Sequence, residues 1–227
     1  MNAKEIEKYL RSCRNSKNIE GMARFGIRPK TEVLGIPIPK VRKLAKEIGK
    51  NHKLAKDLWD LDIHEARILA SIIAEKEKLT EKEMGKWVKG FDSWDIVDQT
   101  CMNLFSRIEI KIIKKKIIEY AKADREFEKR VSFALMAAIA VHRKGLKDEF
   151  FLKFFPLIKR ASVDERNFVR KAVNWALRQI GKRNKSLNAK AIKLAKEIEK
   201  IDSKSARWIA KDAIRELTSS KIKYKLK

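Results

Sequence analysis

"VRKAVNWALRQI", residues 169–180, decides how this chain folds. At about 100° per residue, Val169, Ala172, Val173, Ala176, Leu177 and Ile180 fall on one stripe, spaced i, i+3, i+4, i+7, i+8 and i+11. That is the buried face of an amphipathic helix. Two later and earlier segments align with it, "KRVSFALMAAIA" at 129–140 and "ARWIAKDAIREL" at 206–217. They place Arg130, Arg170 and Arg207 in one register, at intervals of 40 and 37 residues.

A period of that size belongs to paired-helix repeats of the HEAT kind, in which each unit buries its apolar face only by stacking on the next. With 8 glycines, 4 prolines and no run of strict polar/apolar alternation, the chain has little material for strands. The sequence therefore predicts an all-α fold, an α-solenoid of HEAT-like repeats with a basic concave face able to cradle a duplex. "HEARILASIIAE" and "WDIVDQTCMNLF" fit the repeat less well. Pro29, Pro37 and Pro39 fall in "GIRPKTEVLGIPIPK", 26–40, which reads as a non-helical connection before a helix starting near Lys40. Residues 1–219 read as one domain, and 220–227 as a basic, disordered tail without apolar periodicity.

The 227 residues are 44% hydrophobic, enough for a real core. Lysine and arginine number 55 against 30 acidic residues, and the net charge of +25 favours a polyanionic partner, nucleic acid first. A generally lysine-rich composition would give the same charge with no polyanion to bind, so charge alone does not decide. The N-terminus has neither a long apolar core nor a small-residue cleavage site, and no segment approaches a membrane span, which points to an intracellular protein. Cys13 and Cys101 stand outside any CxxC motif and are expected to be reduced thiols. His52, His64 and His142 share no ligand spacing, so neither metal nor other cofactor is expected.

Two helices carry residues that the core does not explain. On the 169–180 helix, Trp175 lies opposite the apolar stripe with Phe168, Lys171, Arg178 and Lys182. An aromatic pair among cations suits either packing against the next repeat or stacking on nucleotides between phosphate contacts. "FDSWDIVDQ", 91–99, concentrates three carboxylates around one tryptophan. Asp92 or Ser93 is a natural N-cap and Asp95 complements the helix dipole, so these have an ordinary structural reading. Asp98 comes too late to cap and lies one turn after Trp94, so that pair shares the edge of a core stripe made by Ile96, Val97, Cys101, Leu104 and Phe105. Arg130 begins a segment that is apolar nearly all round and calls for an anionic partner, either an internal carboxylate or a ligand phosphate.

With these residues in place, the chain from about Gly21 to Arg215 resembles the AlkD-like DNA alkylation repair family, the HEAT-like-repeat DNA glycosylases. The resemblance rests on "MARFGI" at 22–27, "LGIPIPKVRKLAK" at 34–46, "LWDLDIHEARILA" at 58–70, "SWDIVD" at 93–98 and "VRKAVNWALRQ" at 169–179, in that order. It implies excision of cationic 3-alkyladenine and 7-alkylguanine from duplex DNA without deep base flipping. The family's catalytic aspartate falls on Asp98, its lesion-contacting tryptophans on Trp94 and Trp175, its phosphate-binding arginine on Arg130 and a further basic position on Arg178. Its lesion-side tyrosine falls on Phe25, which keeps the π-face and loses the hydroxyl. Lys171, Lys182 and Phe168 join Arg130, Arg178 and Phe25 as candidate DNA contacts, and the expected partner is alkylated duplex DNA bound by a monomer. Two competing readings are a DNA-binding protein without catalysis and a helical scaffold for an acidic protein.

Overall fold

A computed structural model describes residues 1–226 of the chain. It is helical, and among the described residues the one trace of β structure is a single parallel bridge between Glu32 and Ile63. The chain forms two compact units, Met1–Glu109 and Ile110–Lys227.

The first unit contains α1 (Ala3–Ser12), α2 (Ser16–Arg24), α3 (Ile38–Ile48), α4 (His52–Trp59), α5 (His64–Ile73), α6 (Glu81–Lys89) and α7 (Trp94–Asn103), followed by a 3-10 turn at Phe105–Arg107. Helix α5 is its centre and packs against α3, α4 and α7. The reason is its sequence: every residue from His64 to Ile73 except Ile72 is buried, so no face of α5 is left for solvent. Trp59 of α4 and Trp87 of α6 stack with centroids 4.2 Å apart, and Phe91 meets the edge of Trp59 at 5.9 Å. Ring pairs of this sort add about 0.5–1.5 kcal/mol each beyond their area.

Helix α3 starts at Ile38, two residues earlier than expected, with Pro37 as its N-cap residue and a proline within its first turn. Proline lacks only an N–H that has no helical partner there, so Pro39 belongs to the helix and not to the connection. The connection itself is held by acidic side chains. Glu65 is 1% exposed and accepts from the backbone amides of Leu34 at 3.0 Å, Gly35 at 2.7 Å and Ile36 at 3.1 Å. Gly35 has φ +73°, and a Cβ there would lie 2.3 Å from the Asn15 carbonyl oxygen, so both conformation and space require glycine.

The second unit contains α8 (Ile110–Tyr120), α9 (Glu126–His142), α10 (Asp148–Leu152), α11 (Phe155–Ala161), α12 (Asn167–Gly181), α13 (Lys185–Glu199), α14 (Lys204–Leu217) and α15 (Ser220–Lys225). The three aligned segments are α9, α12 and α14, which pack in succession, while α8 pairs with α9, α11 with α12 and α13 with α14. All six apolar stripe residues of α12 are fully buried, and α9 is buried without a break from Arg130 to Ala140. The repeated arginines share a register but not a partner. Arg130 donates to the Phe168 carbonyl, Arg170 lies over the Trp208 ring at 4.8 Å, and Arg207 pairs with Asp202 at 2.9 Å.

The expected disordered tail is instead a helix as far as Lys225. Ser219 caps α15 by accepting from the Ile222 amide, and Ile222 is buried, so one apolar side chain anchors the segment. Lys227, the end of that expected tail, lies outside the described residues.

Candidate functional site

The acidic spot at 92–98 is three different structures. Asp92 does not cap α7. Its Oδ2 accepts from the amides of Lys30 at 2.9 Å and Thr31 at 3.1 Å and from the Thr31 hydroxyl at 3.1 Å, so it ties the connection before α3 to the start of α7. Ser93 occupies the N-cap position without a side-chain cap bond, and its hydroxyl donates to Asp95 Oδ1 at 2.6 Å. Asp95 is therefore more than a dipole complement. Its Oδ2 lies 2.7 Å from Nε2 of His64, which is wholly buried.

Burial by itself would push the His64 imidazolium down, but the hydrogen bond and charge of Asp95, with Glu65 and Asp92 behind it, hold it above its ordinary value. The same burial would raise Asp95, and the His64 bond and charge, the Ser93 hydroxyl and the Ile96 amide hold it below the usual carboxylate range. Both directions favour a charged pair joining α5 to the first turn of α7. Sequence reading assigned neither His64 nor Glu65. Their signal was two adjacent polar residues opening a helix whose remaining residues are apolar apart from Arg67 and Ser71.

Trp94 projects from that anchored turn. Its Nε1 donates to the Phe25 carbonyl at 3.1 Å, and the Phe25 ring, at the C-cap of α2, is 76% exposed. An apolar ring so open beside a half-buried indole offers π-surface at no cost to the core. Asp98 is half-buried one turn further along α7, while Ile96, Val97, Cys101, Leu104 and Phe105 are buried as their spacing predicts. Trp94, Asp95, Phe25, His64, Ile36 and Arg24 line an open cavity of about 680 Å³ within this unit.

In the second unit Trp175 is half-buried and Lys171 exposed, on the side of α12 away from the stripe. Phe168 is half-buried with its ring 5.7 Å from Phe127, and its amide donates to Glu126 at 3.0 Å. Two of the candidate DNA cations are committed internally. Arg178 pairs with Glu216 and, at 3.3 Å, with Asp212, and Lys182 pairs with Glu216 at 2.6 Å. Burial would raise the Glu216 carboxyl, but Lys182 and Arg178 hold it below its ordinary value. Asn174, the buried neighbour of this network, donates to Asp212 at 2.6 Å. Arg130 is 4% exposed and its guanidinium reaches a backbone carbonyl, a partner that the choice between carboxylate and phosphate did not include. No group of three or more His, Cys, Asp or Glu among the described residues is arranged to hold a metal ion.

A helical-repeat protein with an aromatic and acidic cluster at one helix start and a strongly basic composition is the class these observations define. Two solved structures share the fold across nearly the whole chain. One is described as "A new family of proteins related to the HEAT-like repeat DNA glycosylases with affinity for branched DNA structures", at 16% identity and TM-score 0.77, covering 95% of each chain. The other is "Predicted DNA alkylation repair enzyme from Enterococcus faecalis", at 18% identity and TM-score 0.66, covering 91% of this chain and 97% of that one. A search of curated proteins gives no match. Residues 6–217 match the family described as DNA alkylation repair enzyme. The chain belongs to that family, and its fold is HEAT-like and all-α.

Proposed function

We propose that this chain is a DNA glycosylase that hydrolyses the N-glycosidic bond of cationic alkylated purines in duplex DNA, leaving the base largely in the stack. The observation that carries the reading is the α7 cluster: an indole tied to the Phe25 backbone, an exposed aromatic ring beside it, and Asp98 one turn on. A protein that only gripped phosphates would gain nothing from a carboxylate there.

The chemistry suits these groups. A 3-alkyladenine or 7-alkylguanine carries positive charge, so when its bond to C1′ breaks the electron pair neutralises the departing base and no strong general acid is required. What remains is an oxocarbenium-like sugar and the need for a placed water. Asp98 supplies negative charge to that cation and takes the proton of the water that attacks C1′. Trp94 attracts the cationic base by about 0.5–2 kcal/mol, and Trp175 offers a face of the same kind on the second unit. Neutral bases gain far less, so selectivity follows charge. Lys171 and Phe168 contact the DNA. Arg178 and Lys182 contribute positive potential through their network, and Arg130 acts through the Phe168 backbone.

A second reading, DNA binding without catalysis, draws on the relative with affinity for branched DNA and on Phe25, whose ring lacks the hydroxyl of a tyrosine. Incubation with methylated duplex decides between them. Release of free 7-methylguanine and 3-methyladenine supports the glycosylase, and binding without release supports the alternative.

A further inference from the structure

The helices that hold the Trp94 cluster share a second end. Ile38 of α3, His64 of α5 and Trp94 of α7 border the cavity at their N-terminal ends, and Gly49, Ile72 and Asn103 border another, of about 640 Å³, at their C-terminal ends. A ten-residue helix is about 15 Å long, which sets the distance between the two.

Five cations border this second cavity: Arg42 and Lys46, Lys50 beyond Gly49, Lys76, and Arg107 after α7. Arg42 and Lys46 are four residues apart and share one face of α3. The Lys50 ammonium is fixed across the end of α5, donating to the carbonyls of Ile72 at 2.6 Å and Ala74 at 3.0 Å. Complementing a helix C-terminus accounts for Lys50. It does not account for the others. The two carboxylates in the lining are already engaged, Glu75 with Lys78 at 2.6 Å and Glu77 with Lys76 at 3.6 Å. Arg42, Lys46 and Arg107 are exposed and have no ion pair among the described residues. Burial and then the positive charge of Arg107 push Lys50 below its ordinary value, as expected where cations outnumber the anions that face them.

We propose that this cavity is a second phosphate-binding site, which takes the backbone of a nucleic-acid strand at the end of α3, α5 and α7 remote from Trp94. No aromatic side chain lines it, so it has nothing on which to stack a base, and the recognised group is the phosphodiester itself, without regard to sequence. The proposal rests on the reading that this chain binds DNA.

The test compares the wild-type protein with Lys46→Glu/Arg107→Glu and with Lys190→Glu/Lys193→Glu, which makes the same charge change on exposed residues of the second unit. Affinity for an unmodified duplex is measured across a salt series, with circular dichroism melts confirming the fold. Losing two phosphate contacts should make the slope of log affinity against log salt shallower by about 1.8 and weaken low-salt binding about tenfold, with the control pair close to wild type. Lys46→Gln/Arg107→Gln should move the slope in the same direction. Equal behaviour of the site and control variants overturns the proposal. If the wild-type protein shows no salt-dependent duplex binding, the DNA-binding reading falls too. Calorimetric titration with tripolyphosphate then identifies the source: uptake lost only in the site variant means a free polyphosphate site, and the strand assignment is wrong.

Discussion

His64 Nε2 and Asp95 Oδ2 lie 2.7 Å apart, beneath the turn of α7 from which Trp94 projects. The sign of its pH dependence follows from the two shifts. His64, held above its ordinary value, contributes stability that is complete below about pH 6.5 and is lost as pH rises through its folded pKa. Asp95, held below its ordinary value, contributes stability present above about pH 4 and lost as pH falls through its folded pKa. Asp95→Asn should cost about 3 kcal/mol near pH 6, the order found when one member of a buried pair is removed. In urea melts that difference should shrink as pH rises toward 9. A difference that does not change with pH would mean the pair is a neutral hydrogen bond.

Glu65 anchors the segment that leads from Phe25 to α3 by accepting three amides. Glu65→Gln keeps one carbonyl oxygen but turns an NH₂ toward a backbone donor. Loss of about 2–3 kcal/mol is expected from chemical denaturation, with faster amide exchange at Leu34–Ile36. Unchanged exchange would show that the connection is held by its packing alone.

Trp94→Phe keeps an aromatic face and deletes the hydrogen bond to the Phe25 carbonyl, a half-exposed contact worth about 1 kcal/mol. Stability should therefore change little while release of 7-methylguanine slows, and Trp94→Ala should slow it further. A loss of melting temperature with unaltered release kinetics would return Trp94 to a packing role.

Arg130→Ala removes a buried guanidinium that supports the Phe168 carbonyl from α9. We expect destabilisation of about 2–4 kcal/mol and, in the folded protein, a modest loss of duplex affinity through the unsupported Phe168. A fully folded variant that binds duplex weakly at all salt concentrations would restore a direct phosphate contact.

Much of the fold was legible because periodicity reports which face of a helix is buried. The α12 stripe, the α7 stripe and the all-round burial of α9 followed from spacing, and the repeat found the helices that pack in succession. Spacing does not say which polar groups meet across helices. Asp95 looked like a dipole complement because His64 is 31 residues earlier on another helix. Arg178 and Lys182 looked free for phosphates because their carboxylates lie on α14. That pairing had a signal, since Glu216 stands 38 residues after Arg178, one repeat along. The helix at Ser220–Lys225 was not legible, because six residues anchored by one isoleucine leave no period to detect.

The most direct measurement is single-turnover release of 7-methylguanine and 3-methyladenine from methylated duplex by the wild-type protein and by Asp98→Asn. Release by the wild type is expected, with a loss of at least about a hundredfold in the variant, the scale of a positioned acid–base group, and duplex affinity the same or higher. Equal release by both proteins would remove Asp98 from the chemistry. No release by either, with salt-sensitive duplex binding kept by both, would mean that the chain holds DNA without breaking its glycosidic bonds.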